Sequence, residues 1–211
     1  MKKLVLMTGI LSVLSAPAMA APKWYIGANI GYAAPVLSDD LEDLIDDDFF
    51  DNDSGTLLTS LTGGMRFGQH DKIYNGGVSL TLSYMPKILD LTDGDTNPYY
   101  MDVNGDLTAL YASYNNYIRI SGESKCRTDF IISLGFGHAW LKETLNIEDG
   151  YYRESISDNG MMAALKIGFG GETVFDGLGW NLMVNFIGLN AKDDADIQGA
   201  YSFDFGLTYT F

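Results

Sequence analysis

The sequence predicts an all-β protein: an eight-stranded antiparallel up-and-down transmembrane β-barrel with long acidic loops on one rim and short turns on the other. Three observations carry this. Apolar and polar residues alternate with a period of two along most of the chain, the pattern of strands with two different faces. The connections between those strands alternate between long and short. Aromatic residues recur at the ends of the apolar faces, where a membrane barrel carries its interfacial girdles.

Composition sets the limits. The 211 residues include 13 Lys and Arg against 28 Asp and Glu, a net charge of −15. So acidic a chain repels phosphates, which argues against nucleic-acid binding. Thirteen Tyr, 11 Phe and 3 Trp supply apolar area that a disordered chain lacks. Twenty-four glycines with only 5 prolines point to sheet rather than to a linker. A single cysteine excludes an internal disulfide framework and a cysteine-based zinc site.

Two segments are expected. Residues 1–20 read as an export signal: Lys2 and Lys3, an apolar run from Leu4 to Ala16, then Ala18-Met19-Ala20 as the small-residue cleavage site. The apolar run is too short for a membrane anchor, and no cysteine follows the cleavage site as in a lipoprotein. Residues 21–211 form the barrel domain.

The strands follow in order. In the first, Trp24, Ile26, Ala28, Ile30 and Tyr32 oppose Tyr25, Gly27, Asn29 and Gly31. The second, near residues 55–67, alternates more weakly. In the third, Tyr74, Val78, Leu80, Leu82 and Tyr84 oppose Asn75, Gly77, Ser79, Thr81 and Ser83. The fourth, near 107–120, is ambiguous. Its Asn115-Asn116 pair is a candidate bulge, which would change the facing. The fifth sets Phe130, Ile132, Leu134, Phe136 and Trp140 against Ser133, Gly135, Gly137 and Ala139. The sixth sets Met161, Leu165, Ile167 and Phe169 against Ala164, Lys166, Gly168 and Gly170, and the seventh sets Trp180, Leu182, Val184 and Phe186 against Asn181, Met183 and Asn185. The eighth alternates strictly over eleven residues, Tyr201 to Phe211, a length that crosses a bilayer when tilted. Residues 34–54, 85–106, 142–158 and 190–199 are the long connections; 68–72, 121–128 and 171–179 are the short ones.

Alternation alone does not say which face is outside. A soluble barrel turns its large apolar side chains inward, a membrane barrel outward. Trp or Tyr ends several apolar faces, the opposite face is small and rich in Gly and Ser, and the last strand runs to the end of the chain. These features favour the outward arrangement, in which closure satisfies every backbone amide as hydrocarbon demands.

The final octet, Asp204-Phe-Gly206-Leu-Thr-Tyr209-Thr-Phe211, resembles the C-terminal signal of outer-membrane barrels. The opening Trp24-Tyr25-Ile-Gly27-Ala-Asn-Ile-Gly31-Tyr32 resembles the first strand of small OmpA-type and opacity-type barrels, also called porin-family outer-membrane proteins. The resemblance covers the chain from residue 21 onward as a pattern. It implies residence in outer-membrane lipid and recognition of Asp204, Gly206, Tyr209 and Phe211 by the barrel-assembly machinery.

Charge sorts by rim. The four long connections hold 22 of the 28 acidic residues and four basic ones. The first is densest: Asp39, Asp40, Glu42, Asp43, Asp46, Asp47, Asp48, Asp51 and Asp53. Such a rim projects a negative field. It suits self-repulsion and solubility, or divalent cations bridging to anionic glycolipid, or a basic partner. No stretch has calcium-loop spacing; Asp102-Val-Asn104-Gly-Asp106 has its Gly misplaced and no closing Glu. Leu41, Leu44, Ile45 and Phe49 fall at helical spacing after Ser38, as in a short amphipathic turn lying on the barrel mouth.

Lumen-facing charges are expected at Arg66, Lys166, Glu172 and Asp204, with Arg119 a further candidate. A network joining Arg66 or Lys166 to Glu172 would lock strand register, because charges in a narrow barrel must pair or meet water. A catalytic set is missing from the pattern. His70 sits in a turn, and His138, on the lipid-facing parity, lies in His138-Ala-Trp140, where the palmitoyl-lipid deacylase pattern resembles His-x-Ser. Cys126 falls in a short turn beside Lys125 and Arg127. The expected function is that of a non-enzymatic surface scaffold, adhesive or shielding, without a cofactor. The alternatives are a narrow diffusion channel and a secreted lipocalin-like carrier.

Overall fold

A large side chain at every second residue gives each strand one face that needs an apolar surrounding and one that does not. A computed structural model describes residues 22–38, 43, 45, 50–52, 54–68, 73–93, 101–122, 126–147, 152–190 and 197–211. The expected leader lies outside them. Among the described residues nine strands form: β1 (Lys23–Leu37), β2 (Phe50–Asn52), β3 (Thr56–Phe67), β4 (Tyr74–Asp93), β5 (Met101–Ser121), β6 (Thr128–Ile147), β7 (Tyr152–Glu172), β8 (Leu178–Asn190) and β9 (Ile197–Thr210). Eight of them close into a ring, β1-β3-β4-β5-β6-β7-β8-β9 and back to β1, every pair antiparallel. The short β2 pairs with the far end of β4. This is the expected eight-stranded up-and-down barrel.

The polarity is inverted, as expected. On β9, Phe203, Phe205 and Leu207 are about half exposed, at 55%, 45% and 50%, while Ser202, Asp204 and Thr208 are buried inside. The same division holds for Ile26 and Ile30 on β1, Leu80 and Leu82 on β4, Leu134 and Phe136 on β6, and Val184 and Phe186 on β8. Trp24, Tyr32, Tyr74, Tyr84, Trp140 and Tyr209 are also exposed. An outward apolar surface of this extent is stable only in lipid, so the barrel spans a membrane. A soluble carrier would need the opposite arrangement.

Three expectations need correction. The stretches 85–106 and 142–158 are largely not loops. β4 runs to Asp93 and β5 starts at Met101; β6 runs to Ile147 and β7 starts at Tyr152. Their polar residues alternate with Leu89, Leu91, Val103 and Leu145, which keeps the ladder going past the barrel. β4 to β7 therefore measure 20 or 21 residues against 12 to 15 in β1, β3, β8 and β9, and together they project beyond one rim.

Nor is there a bulge at Asn115-Asn116: both residues stay in register with β4 and with β6. The odd residues of β5 face inward throughout, Tyr111 and Tyr117 included. The ladder shifts elsewhere, between Met85 and Leu89, between Val36 and Leu37, and between Arg119 and Ser121.

The lumen is not uniformly small and polar. At the end with the long strands it is filled by an apolar cluster in which Met85, Ile88, Leu89, Leu91, Leu107 and Ile197 are fully buried. The bulge after Met85 makes this possible. Lys87 takes a left-handed φ of 47°, its amide donates to the Asp106 carboxylate at 2.8 Å, and its Nζ lies 3.5 Å from Asp90. Pro86, Lys87 and Ile88 stand opposite Asp106 alone, two residues more than a regular ladder, and the inserted Ile88 is buried beside Leu89 although the two are neighbours in sequence.

Close strand approach explains two glycines. A Cβ on Gly31 would overlap the Phe203 carbonyl oxygen and come within 2.6 Å of the Asp204 Cα, at the β1–β9 seam. Gly137 has the same relation to Leu110 and Tyr111 across β5–β6. At the opposite rim, β7 turns into β8 through Thr173, whose amide donates to the Leu178 carbonyl at 2.9 Å, and through Gly177 at φ 78°.

Candidate functional site

Inward parity on six strands converges on one polar layer in the lumen, between the apolar cluster and the turn rim. β1 supplies Tyr25 and Asn29, β3 Arg66, β5 Tyr111 and Tyr117, β7 Lys166, β8 Asn181 and Asn185, and β9 Ser202 and Asp204. Asn185 donates through Nδ2 to Asp204 Oδ2 and to Ser202 Oγ, both at 2.9 Å. Asn29 donates to the same Asp204 oxygen at 3.4 Å and to Asn181 Oδ1 at 3.3 Å. Asn115 donates to Ser79 at 3.0 Å, and the Thr62 and Thr81 hydroxyls lie 3.0 Å apart. Most of these bonds join neighbouring strands and hold their register, and the Asn29–Asn181 bond reaches from β1 past β9 to β8.

Two lumen cations, Arg66 and Lys166, lie against aromatic rings. Arg66 places its guanidinium carbon 4.5 Å from the Tyr117 centroid and 5.3 Å from that of Tyr25. Lys166 places Nζ 5.0 Å from the Tyr111 centroid. The charge of Glu172 acts on Arg66, and that of Asp204 on Lys166. All four expected lumen charges thus face inward. Tyr25, Tyr111 and Tyr117 went unrecognised as their partners. On β5 an Ala-rich stretch with tyrosines and asparagines on both parities gave no clear facing; on β1, inward Tyr25 was visible by parity alone.

A second buried pair lies nearer the turn rim. Arg127 Nε donates to Asp129 Oδ1 at 2.6 Å, with both side chains almost fully buried. An Arg and an Asp two apart share a strand face, so the signal Arg-x-Asp was available in the sequence. A cavity of about 60 Å³ lies among Arg66, Lys166, Asn29, Asn115, Asn181 and Tyr117. It has room for a few water molecules between polar walls.

The remaining expected residues fall as follows. Gly206 faces inward, and Tyr209 packs edge-on against Phe211, centroids 5.4 Å apart. Of the acidic patch, Asp39, Asp40, Glu42, Asp46, Asp47, Asp48 and Asp53 lie outside the described residues. Asp43 is exposed and Asp51 belongs to β2. Of the apolar loop residues, Ile45 packs against the apolar cluster at the mouth; Leu41, Leu44 and Phe49 lie outside the described residues. Asp102 accepts from Asn104 at 2.5 Å and from Asn146 at 3.2 Å, across the projecting sheet. Among the described residues no three metal-ligating side chains come together. His138 stacks edge-on with Trp140 at 4.8 Å on the outer face, His70 lies outside the described residues, and Cys126 is exposed with φ 65°.

No family model and no curated protein matches the chain. Solved structures do match. A major outer membrane protein from Thermus thermophilus aligns at 9% identity over 91% of this chain and all of its own, with a TM-score of 0.50. This is the fold of a small outer-membrane barrel. Neisserial surface protein A aligns at 8% identity over 92% of this chain and 100% of its own, TM-score 0.48. Ail, the attachment invasion locus protein of Yersinia pestis, aligns at 14% over 89% and 98%, TM-score 0.44. Identities this low concern the fold of the small outer-membrane barrel and nothing finer.

Proposed function

We propose that the protein is a non-enzymatic scaffold of the outer membrane that holds an acidic surface outside the cell, for adhesion to a basic partner or for shielding. The supporting observation is the closed lumen. Fully buried Met85, Ile88, Leu89, Leu91, Leu107 and Ile197 fill the mouth, and in the polar layer below the Asn29–Asn181 hydrogen bond and the Arg66–Tyr117 contact link strands that are not neighbours. An interior filled in this way leaves the projecting strands and their connections as the surface on which the protein acts. On this reading Asp204, Gly206, Tyr209 and Phe211 serve biogenesis, as the segment read by the assembly machinery. Divalent cations bridging the acidic rim to anionic glycolipid belong to the same electrostatic reading.

The test places the purified barrel in lipid nanodiscs over a polylysine surface. Binding should fall steeply as salt rises from about 50 to about 500 mM, the range over which the Debye length shrinks below the spacing of surface charges. Binding that ignores salt, or no binding at any salt, removes the electrostatic reading. A second reading, a narrow diffusion channel, draws on the 60 Å³ polar cavity. Planar-bilayer recording separates the two: the scaffold is silent, and reproducible discrete steps would establish the channel.

A further inference from the structure

The projecting sheet has two edges, and they are treated differently. On the β4 side, β2 pairs Phe50, Asp51 and Asn52 with Asp93, Thr92 and Leu91. On the β7 side, pairing with β8 stops at Met161 opposite Asn190, while β7 continues beside β6 until Tyr152 opposite Ile147. Among the described residues no strand pairs with the outer edge of 152–160. Residues 153–157 are all exposed. The Asn159 amide donates to the Asp158 carboxylate at 2.7 Å, so the stretch left open is Arg153 to Ser157. An unpaired edge presents a row of amide and carbonyl groups that another extended chain can complete.

The side chains beside this edge define what would fit. The β6–β7 register is unbroken, so the parity set by inward Met162, Ala164 and Lys166 continues through Asp158, Ile156 and Glu154. A strand added here would meet, on that face, an acid, an exposed isoleucine (54%) and a second acid. On the other face it would meet Arg153, Ser155 and Ser157. Cross-strand partners favour opposite charge against charge and apolar against apolar.

We propose that the outer edge of β7 docks an extended peptide segment as an added antiparallel strand, and that it selects the pattern basic-x-apolar-x-basic on one face with small polar residues between. This rests on the acidic-surface reading above and sharpens it from diffuse attraction to a register. The surrounding charge is complementary to such a peptide: seven acids (Asp90, Asp93, Asp102, Asp106, Glu143, Glu154, Asp158) stand against Lys87, Lys142 and Arg153 in the projecting parts of the four strands.

The experiment uses the full barrel in nanodiscs and four fluorescent nonapeptides. The first is centred on Lys-Ser-Val-Ser-Lys, the second scrambles that order, and the other two carry the first sequence with alternate backbone amides N-methylated, one in each register. The ordered peptide should bind at least tenfold tighter than the scramble. One N-methylated register should lose that advantage, and amide hydrogen exchange should slow within 153–157 when the ordered peptide binds. Glu154→Gln with Asp158→Asn should reduce ordered-peptide binding several-fold and leave the scramble nearly unchanged. Equal binding of ordered and scrambled peptides, both falling with salt, overturns the edge and leaves the electrostatic reading standing. No binding of either peptide at low salt overturns both. Protection of 153–157 that is present without peptide and grows with protein concentration makes the occupant a second copy of the chain, which also overturns the proposal.

Discussion

The guanidinium of Arg66 lies over the ring of Tyr117, 4.5 Å from its centroid, inside a barrel whose outer wall is apolar. The ring comes from β5 and the cation from β3, with β4 between them. A cation shielded from bulk water gains more from an aromatic face than an exposed one, about 2 kcal/mol. Tyr117→Leu should therefore lower urea stability in detergent by about 2 kcal/mol. Tyr117→Phe keeps the ring and gives up only the hydroxyl, about 1 kcal/mol. Equal losses in the two variants would mean that the ring face is not what holds Arg66.

Gly31 and Gly63 should respond in opposite ways to the same change. A side chain on Gly31 meets backbone of β9 at the seam that closes the ring, whereas a Cβ on Gly63 has nothing within 4 Å. Gly31→Val should abolish the compact, heat-modifiable band on unheated gels. Gly63→Val, on the lipid side, should stay within about 0.5 kcal/mol of the parent. A folded Gly31→Val barrel would show that β1 and β9 approach less closely than described.

Depth in the bilayer should scale the cost of outward charge. Phe205 lies mid-strand on β9, opposite Ile30 and Leu182. Tyr209 lies at the strand's end. Phe205→Arg should cost about 2–4 kcal/mol and Tyr209→Arg about 0–1 kcal/mol in reversible folding into liposomes. Similar costs at the two positions would contradict the placement of the apolar belt.

Two leucines on β4 separate packing from transfer. Leu89 is fully buried in the mouth and Leu80 faces lipid at 54% exposure. Leu89→Ala should cost about 2–5 kcal/mol because the closed wall around it cannot refill the space. Leu80→Ala leaves a gap that acyl chains fill, so its cost should be smaller by about 1 kcal/mol or more. A larger cost at Leu80 would count against the apolar closure of the mouth and with it the closed-lumen argument.

What the sequence determined by itself was the side on which each residue stands, wherever the period of two was clean. β9 is the clearest case: Tyr201, Phe203, Phe205, Leu207 and Tyr209 outside, Ser202, Asp204, Gly206 and Thr208 inside. Side-chain direction in a strand is set locally, by the pleat, so no knowledge of neighbours is needed. The inward placement of Arg66, Lys166, Glu172 and Asp204 was legible for the same reason.

Only the tertiary structure decided which of those residues meet. Whether Lys166 faces Glu172 or Asp204, and whether Arg66 finds a carboxylate or the rings of Tyr25 and Tyr117, depends on stagger and closure around eight strands, which local alternation does not encode. The apolar mouth was hidden likewise. A two-residue insertion after Met85 leaves Met85, Leu89 and Leu91 on the same inward parity and buries Ile88 as well, next to Leu89. The projecting sheet followed from pairing rather than from composition: Asp90, Asp102, Glu143 and Glu154 read as loop acids in the sequence, but cross-strand hydrogen bonds hold them in extended backbone above the rim.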